Sequence, residues 1–233
     1  MQNGDFVKIN YVGRVKETNE VFDLTDEAVA KKEKIELQNI IYGPVTVIIG
    51  EKMILPALED EIKNMNTGET KKIELDSQKA FGPRDSRLIK VFSESEFIKN
   101  DMNPIPGLTV NVNGLRGRVL SSSGGRVQVD FNHPLAGKNL VYDMTCIGPV
   151  EGDEDRTKAL VQYYAGVKPD MLRVSVKDSQ AVVTLPPKNA VPSEIKERVS
   201  KEIMKWVKLV SVKFEEIYNK SDSAAKNAET AVV

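Results

Sequence analysis

The chain has 233 residues, 40% hydrophobic and 29% charged, a globular composition that is long enough for two or more compact units and too apolar for a disordered chain. Its 33 basic and 34 acidic residues leave a net charge of -1, so the basic surplus that recruits nucleic acid is missing, and pairs such as Lys31-Lys32 and Lys71-Lys72 read as solvated surface. A single cysteine excludes an internal disulfide, and with no leader-like start and no apolar run near the ~20 residues of a membrane span, a soluble cytoplasmic protein is expected, with neither nucleic acid nor membrane as partner.

From Asp5 to Val15, apolar Val7, Ile9, Tyr11 and Val15 alternate with polar Lys8, Asn10, Arg14 and Lys16, the period of a half-buried strand. Thr18-Asn19-Glu20 is a turn and Val21-Phe22 resumes extended structure. Asp26 to Lys34 can form a short polar helix, and Val45 to Ile49 reads as a strand ended by Gly50. Ile54, Leu55, Leu58, Ile62 and Met65 then share one face of a helix stopped at Asn66-Thr67-Gly68, and a strand follows from Glu69 to Leu75. These pieces assemble most simply as a curled antiparallel sheet around one short helix, an α+β arrangement.

Between Arg84 and Asn132 the texture changes. Phe92, Phe97 and Met102 are scattered, then Leu108 to Val112, Gly117 to Ser121 and Arg126 to Phe131 read as strands, the last two joined at Gly124-Gly125. Leu140 to Val150 is again a strong strand, apolar on both faces, and the long detour before it predicts an inserted β-rich domain. The acidic stretch Glu151 to Asp155 reads as a linker, with a short helix from about Arg156 to Ala165. A hairpin over Met171 to Val176 and Ala181 to Leu185, a helical stripe from Ile195 to Val207, and a strand through Val210, Val212 and Phe214 make a second α+β domain; a polar tail from Lys220 is expected to be disordered.

Much chemistry has no residues to perform it. The only imidazole is His133, in a short reversal where a structural role is expected, so no zinc-type metal site or cofactor is expected. Gly114-Leu115-Arg116-Gly117 lacks the trailing Lys of a phosphate loop and reads as a turn. Cys146 lies in an apolar strand and reads as a buried small hydrophobe. What remains is a set of apolar and aromatic residues with one distinctive acid, Asp23 directly after Phe22.

Those residues carry a resemblance. Tyr11-Val12-Gly13, Phe22-Asp23, Val45 to Gly50, Ile54-Leu55-Pro56-Ala57-Leu58-Glu59, Met65 to Glu69, Ala80-Phe81-Gly82 and Leu140-Val141-Tyr142-Asp143 follow in the order and spacing of FKBP-type peptidyl-prolyl cis/trans isomerases. The run Asn132-His133-Pro134-Leu135-Ala136-Gly137-Lys138-Asn139-Leu140 resembles the SlyD branch, whose flap is replaced by an insert-in-flap domain. The resemblance covers about the first two thirds of the chain, and the remainder is similar to the extension of long archaeal members.

The resemblance implies an FKBP domain over 1–86 plus 133–150, an insert-in-flap chaperone domain over 87–132, a C-terminal α+β domain over 154–219 and a tail over 220–233. It implies catalytic roles for Tyr11, Asp23, Phe81 and Tyr142 and substrate binding by Phe22, Val45, Ile54, Leu55 and Leu58. Two positions depart from the common pattern: Leu58 stands where Trp is frequent, and Phe81 stands where Tyr is usual, which removes a substrate hydrogen bond. The implied activity is isomerisation of X-Pro bonds in unfolded or nascent polypeptides, with chaperone activity; the alternative is a holdase with weak or no turnover. Phe92, Phe97 and Met102 are candidates for a chain-binding surface, against burial in the insert's own core. The C-terminal domain, with its apolar helix and a strand from Ser211 to Tyr218, is a candidate homodimer interface.

Overall fold

The computed structural model describes residues 1–35, 42–185 and 191–217; the expected tail over 220–233 and the end of the last strand at Tyr218 lie outside the described residues. The elements in chain order are β1 (Phe6–Val15), β2 (Val21–Leu24), α1 (Glu27–Glu33), β3 (Val45–Ile48), α2 (Pro56–Lys63), β4 (Thr70–Leu75), β5 (Ile89–Ser93), α3 (Glu94–Ile98), β6 (Thr109–Val112), β7 (Leu115–Ser123), β8 (Arg126–Asp130), β9 (Leu140–Pro149), α4 (Asp153–Ala165), β10 (Arg173–Lys177), β11 (Gln180–Leu185), α5 (Ser193–Trp206) and β12 (Ser211–Glu216). Among the described residues they form an α+β fold with three sheets: β2-β1-β9-β4 with β3 beside β1, β5-β8-β7-β6, and β10-β11-β12. By contact density the chain divides into one unit of Met1–Val12, Asp23–Lys71 and Asp143–Val233, and another of Gly13–Phe22 and Lys72–Tyr142.

In the first unit, β1 and β3 pair antiparallel with Phe6 opposite Ile48 and Val7 opposite Val47. Alternation puts Phe6 and Ile48 on one face and Val7, Ile9 and Val47 on the other, and all five are buried. Phe6 and Ile48 join a single hydrophobic cluster with Leu160 and Val161 of α4, Val183 and Leu185 of β11, and Val199 and Ile203 of α5. The C-terminal elements therefore share a core with the sheet that opens the chain. Within them β10 and β11 are an antiparallel hairpin, and β12 returns parallel to β11 through α5, as a crossover helix allows. The acids read as a linker belong partly to a helix: α4 begins at Asp153, and Asp153, Glu154 and Asp155 occupy its first turn, where their charge complements the helix dipole. Helix α2 starts at Pro56 rather than Ile54, because proline's fixed φ suits the first helical position.

In the second unit, β5 to β8 form the insert's sheet, with Phe97, Val110, Val119, Val127 and Val129 as its buried core and Phe92, Met102, Val112 and Phe131 packed against it. Phe92 meets Phe97 and Phe131 edge to face, with centroids 6.2 and 6.0 Å away. Strand β5 and helix α3 were not legible as elements, and β7 starts at Leu115, inside the segment read as a turn, so that only Gly114 keeps a turn's left-handed φ of 79°. Gly117 admits no side chain: a Cβ there would lie 2.6 Å from Val129 Cγ1 and 2.9 Å from Phe131.

The insert's entry and exit are tied together. Arg84 contacts the Asp130 carboxylate through Nε at 2.9 Å and a terminal nitrogen at 2.6 Å. Asp85 N–H donates to Asn132 Oδ1 at 2.8 Å while Asn132 Nδ2 donates to Asp85 O at 2.9 Å. Burial raises the Asp130 pKa, but hydrogen bonds from Asn132 and Arg84 outweigh it and hold the carboxyl below the usual aspartate range. A depressed folded pKa gives stability that is fully present above the unfolded value of about 3.9 and is lost as pH falls through the folded one. Acid titration of the insert followed by Val127 and Val129 methyl resonances is expected to show this loss in the native chain and a shallower one in Asp130→Asn; identical profiles would refute the linkage.

Candidate active site

Strands β1 and β2 bring Tyr11 and Asp23 together, and Tyr11 Oη donates to Asp23 Oδ2 at 2.9 Å. The hairpin is fixed beside this bond by Thr25, which is 3% exposed. Its N–H donates to Tyr11 O at 2.9 Å, its Oγ1 accepts from Tyr11 N–H at 2.9 Å, and the same hydroxyl donates to Asn10 Oδ1 at 3.0 Å. With Gly43 N–H donating to its carbonyl oxygen at 2.8 Å, every polar atom of this buried threonine is used, as burial requires. Both Tyr11 and Asp23 are half-buried.

Val45 opens β3, and Ile54 and Leu55, both half-buried, immediately precede α2, while Leu58 is 3% exposed on that helix. The turn carrying Ile54 and Leu55 is held by Glu59, a carboxylate only 6% exposed. It accepts from Gly50 N–H at 2.8 Å and Lys52 N–H at 3.2 Å, with Lys63 Nζ 3.6 Å away. Gly50 and Lys52 both have left-handed φ, 95° and 54°, so the carboxylate fixes a tight reversal. Met53 Sδ adds a third anchor by accepting from Ile48 N–H at 3.2 Å. Thr25 and Glu59 were missed as contributors, though Glu59 carried a signal: it lies three residues before Ile62 and four after Leu55, inside the apolar stripe.

In the second unit Phe22 and Tyr142 meet edge to face at 5.7 Å and 85°. Gly13 makes that pair possible, because a Cβ there would lie 2.8 Å from Phe22 Cζ and 3.0 Å from Tyr142 Cε1. Phe81 lies against His133, rings 4.2 Å apart and parallel to within 6°, a partner that sequence reading had left as merely structural. Phe81's loop is closed by Lys79 N–H on Asp76 Oδ1 at 2.9 Å and by Gly82 N–H on Ser77 O at 2.7 Å.

Cys146 is fully buried, and burial holds its thiol above the usual range, so it offers no thiolate nucleophile. Among the described residues no group of three His, Cys, Asp or Glu side chains could hold a metal ion. No helix is long and apolar enough to cross a membrane among those residues. The chain-binding candidates divide. Phe97 is 3% exposed in the insert's core, which is the burial alternative rather than the chain-binding one, and Phe92 and Met102 pack half-buried on the same core. The most exposed apolar side chains of this segment are instead Val91, Ile98, Ile105 and Leu115, at 61, 62, 55 and 63%.

The family model described as FKBP-type peptidyl-prolyl cis-trans isomerase matches residues 1–98, and that described as the FKBP26 IF domain matches residues 90–135. The short-type peptidyl-prolyl cis-trans isomerase of Methanocaldococcus jannaschii is 32% identical over 142 residues, 61% of this chain and 89% of the relative. This chain belongs to the FKBP-type peptidyl-prolyl cis-trans isomerases. A probable FKBP-type 16 kDa isomerase of Pseudomonas fluorescens is 30% identical over 45% of this chain and 72% of its own length. The SlyD isomerase of Helicobacter pylori is 28% identical over 52% and 67% respectively. This FKBP-type isomerase carries an insert-in-flap domain, and enzymes of its family act on proline-containing polypeptides.

Proposed function

We propose that this FKBP-type enzyme isomerises X-Pro bonds in unfolded or nascent chains in the cytoplasm and holds those chains on its insert. The observation that carries the second half is the insert's display of Val91, Ile98, Ile105 and Leu115, each more than half exposed while a separate valine and phenylalanine core is filled. The domain division that goes with it is an isomerase domain over 1–86 plus 133–150, an insert over 87–132 and a C-terminal domain over 154–219. Homodimerisation through that last domain is part of the proposal, supported by edge strand β12 with Val210 at 79% and Ile217 at 47% exposure beside it; the solution mass of the full chain tests it.

The chemical task needs no nucleophile. Amide resonance opposes rotation by ~18–20 kcal/mol, whereas the two X-Pro isomers differ by only about 0.5–1 kcal/mol. Twisting removes conjugation and charge separation, so apolar surroundings that exclude water favour the twisted imide over the planar one. Tyr11, Phe22, Phe81 and Tyr142 supply aromatic walls in this proposal, Val45, Ile54, Leu55 and Leu58 aliphatic ones, and Asp23 orients the Tyr11 hydroxyl. Each ~1.4 kcal/mol of preference for the twisted state is tenfold in rate.

Holding a chain raises the effective concentration of its prolines at the second site. Serine at Ile98, Ile105 and Leu115 together is expected to slow catalysed refolding of a proline-limited protein at least tenfold more than turnover of a short prolyl peptide. Equal effects in the two assays would refute chain holding. An undetectable peptide rate in the native chain, with aggregation of a client still suppressed, would establish the holdase alternative.

A further inference from the structure

His133 and Phe81 come from separate loops, and their stack is not a chance meeting of two mobile side chains. Gly137 N–H donates to Gly82 O at 2.8 Å, and Ser77 N–H donates to Asn139 Oδ1 at 3.1 Å, so two hydrogen bonds hold the two loops together. The imidazole is held as well. Leu135 N–H donates to His133 Nδ1 at 3.2 Å, and Ala136 N–H donates to His133 O at 2.9 Å.

The first of those bonds fixes the tautomer. A ring nitrogen that accepts a hydrogen bond carries no proton, so the neutral imidazole keeps its single N–H on Nε2. His133 is exposed, and among the described residues none accepts a hydrogen bond from Nε2. The chain thus presents an oriented donor, layered on the face of an aromatic ring that has no polar group of its own.

We propose that His133 is a substrate-binding residue, whose Nε2–H donates to a peptide carbonyl oxygen of the prolyl chain seated against Phe81. The proposal rests on the reading of Phe81 as a wall of the prolyl site. Stacking fixes the plane of the imidazole before substrate arrives, so little side-chain freedom is lost on binding. A bound chain also shields the donor from water, and a hydrogen bond over an apolar surface is stronger than one in bulk solvent. The donor thereby fills the role left by the absent hydroxyl at position 81.

The test is turnover of a short prolyl peptide by His133→Phe, which keeps an aromatic ring on Phe81 and removes the donor, beside His133→Ala, which removes both. His133→Phe is expected to lower kcat/KM on the order of 3- to 10-fold, the effect of one neutral hydrogen bond, with an unchanged unfolding midpoint. Adding Phe81→Tyr to His133→Phe is expected to recover most of that loss. Native turnover in His133→Phe with a loss in His133→Ala would reduce His133 to a packing role and overturn the proposal, as would native turnover in both. A native chain with no turnover would instead sink the reading of the prolyl site, and this inference with it.

Discussion

Phe6→Ala is expected to lower the free energy of unfolding by about 3–5 kcal/mol, the largest effect of any single substitution considered for this chain. Phe6 is 2% exposed and sits in one cluster with Ile48, Leu160, Val161, Val199 and Ile203. The Arg156 guanidinium lies 5.6 Å above its ring, Arg156 Nε donates to Val150 O at 3.1 Å, and Val150 N–H donates to Phe6 O at 2.8 Å. One side chain thus links the opening strand to helix α4, and truncation after Val150 would expose both Phe6 and Ile48 to water. Urea unfolding followed by far-UV circular dichroism measures the loss. The sole tryptophan gives a second signal, because Trp206 lies 3.5 Å from where a Gly4 Cβ would stand, and its emission should shift in Phe6→Ala. An unchanged midpoint would show that the shared cluster contributes no cohesion.

Asp23→Ala is expected to reduce turnover of a prolyl peptide by about 10- to 100-fold, the range of a hydrogen bond to a charged group expressed as rate. Its carboxylate accepts from Tyr11 Oη at 2.9 Å, on a hairpin already fixed by Thr25. The effect is therefore expected to run through the tyrosine: Tyr11→Phe should lose a similar factor, and the double variant little more than either single one. Asp23→Asn keeps an acceptor and should recover part of the rate. A native rate in Asp23→Ala would remove Asp23 from the mechanism, and additive losses in the double variant would separate it from Tyr11.

The fold was legible wherever periodicity ran long enough to show. The alternation of Val7, Ile9 and Tyr11 marked β1, and the stripe Leu58 and Ile62 marked α2, although that stripe's extension to Met65 overran the helix, which ends at Lys63. Strand β5 and helix α3 have five residues each and follow one another without a break, so neither period declares itself, and the alternative of burial that the sequence left open for Phe97 is the one the sheet beneath that helix realises. The acids at 153–155 suited a solvated linker and a helix N-terminus equally well, and only backbone geometry distinguishes them.

The candidate site divides along a similar line. Phe22, Asp23 and Tyr142 could be named from the order of family motifs alone, since each belongs to a motif run. Thr25, Glu59 and His133 act through partners far away in sequence: a backbone fourteen residues distant, a turn nine residues before, and a ring from another loop. Composition and spacing carry no mark of such pairings.

The reciprocal bonds between Asp85 and Asn132, with Arg84 on Asp130, have an architectural corollary. Because the two crossing points of the polypeptide already stand side by side, the host sees the whole detour as though it were a tight hairpin. A cassette of that kind adds little loop-closure entropy to its host, since the closure is made at the doorway rather than across the room. Excising it and bridging the stumps with a few residues, or grafting a foreign module in its place, should leave the surrounding framework's folding largely undisturbed.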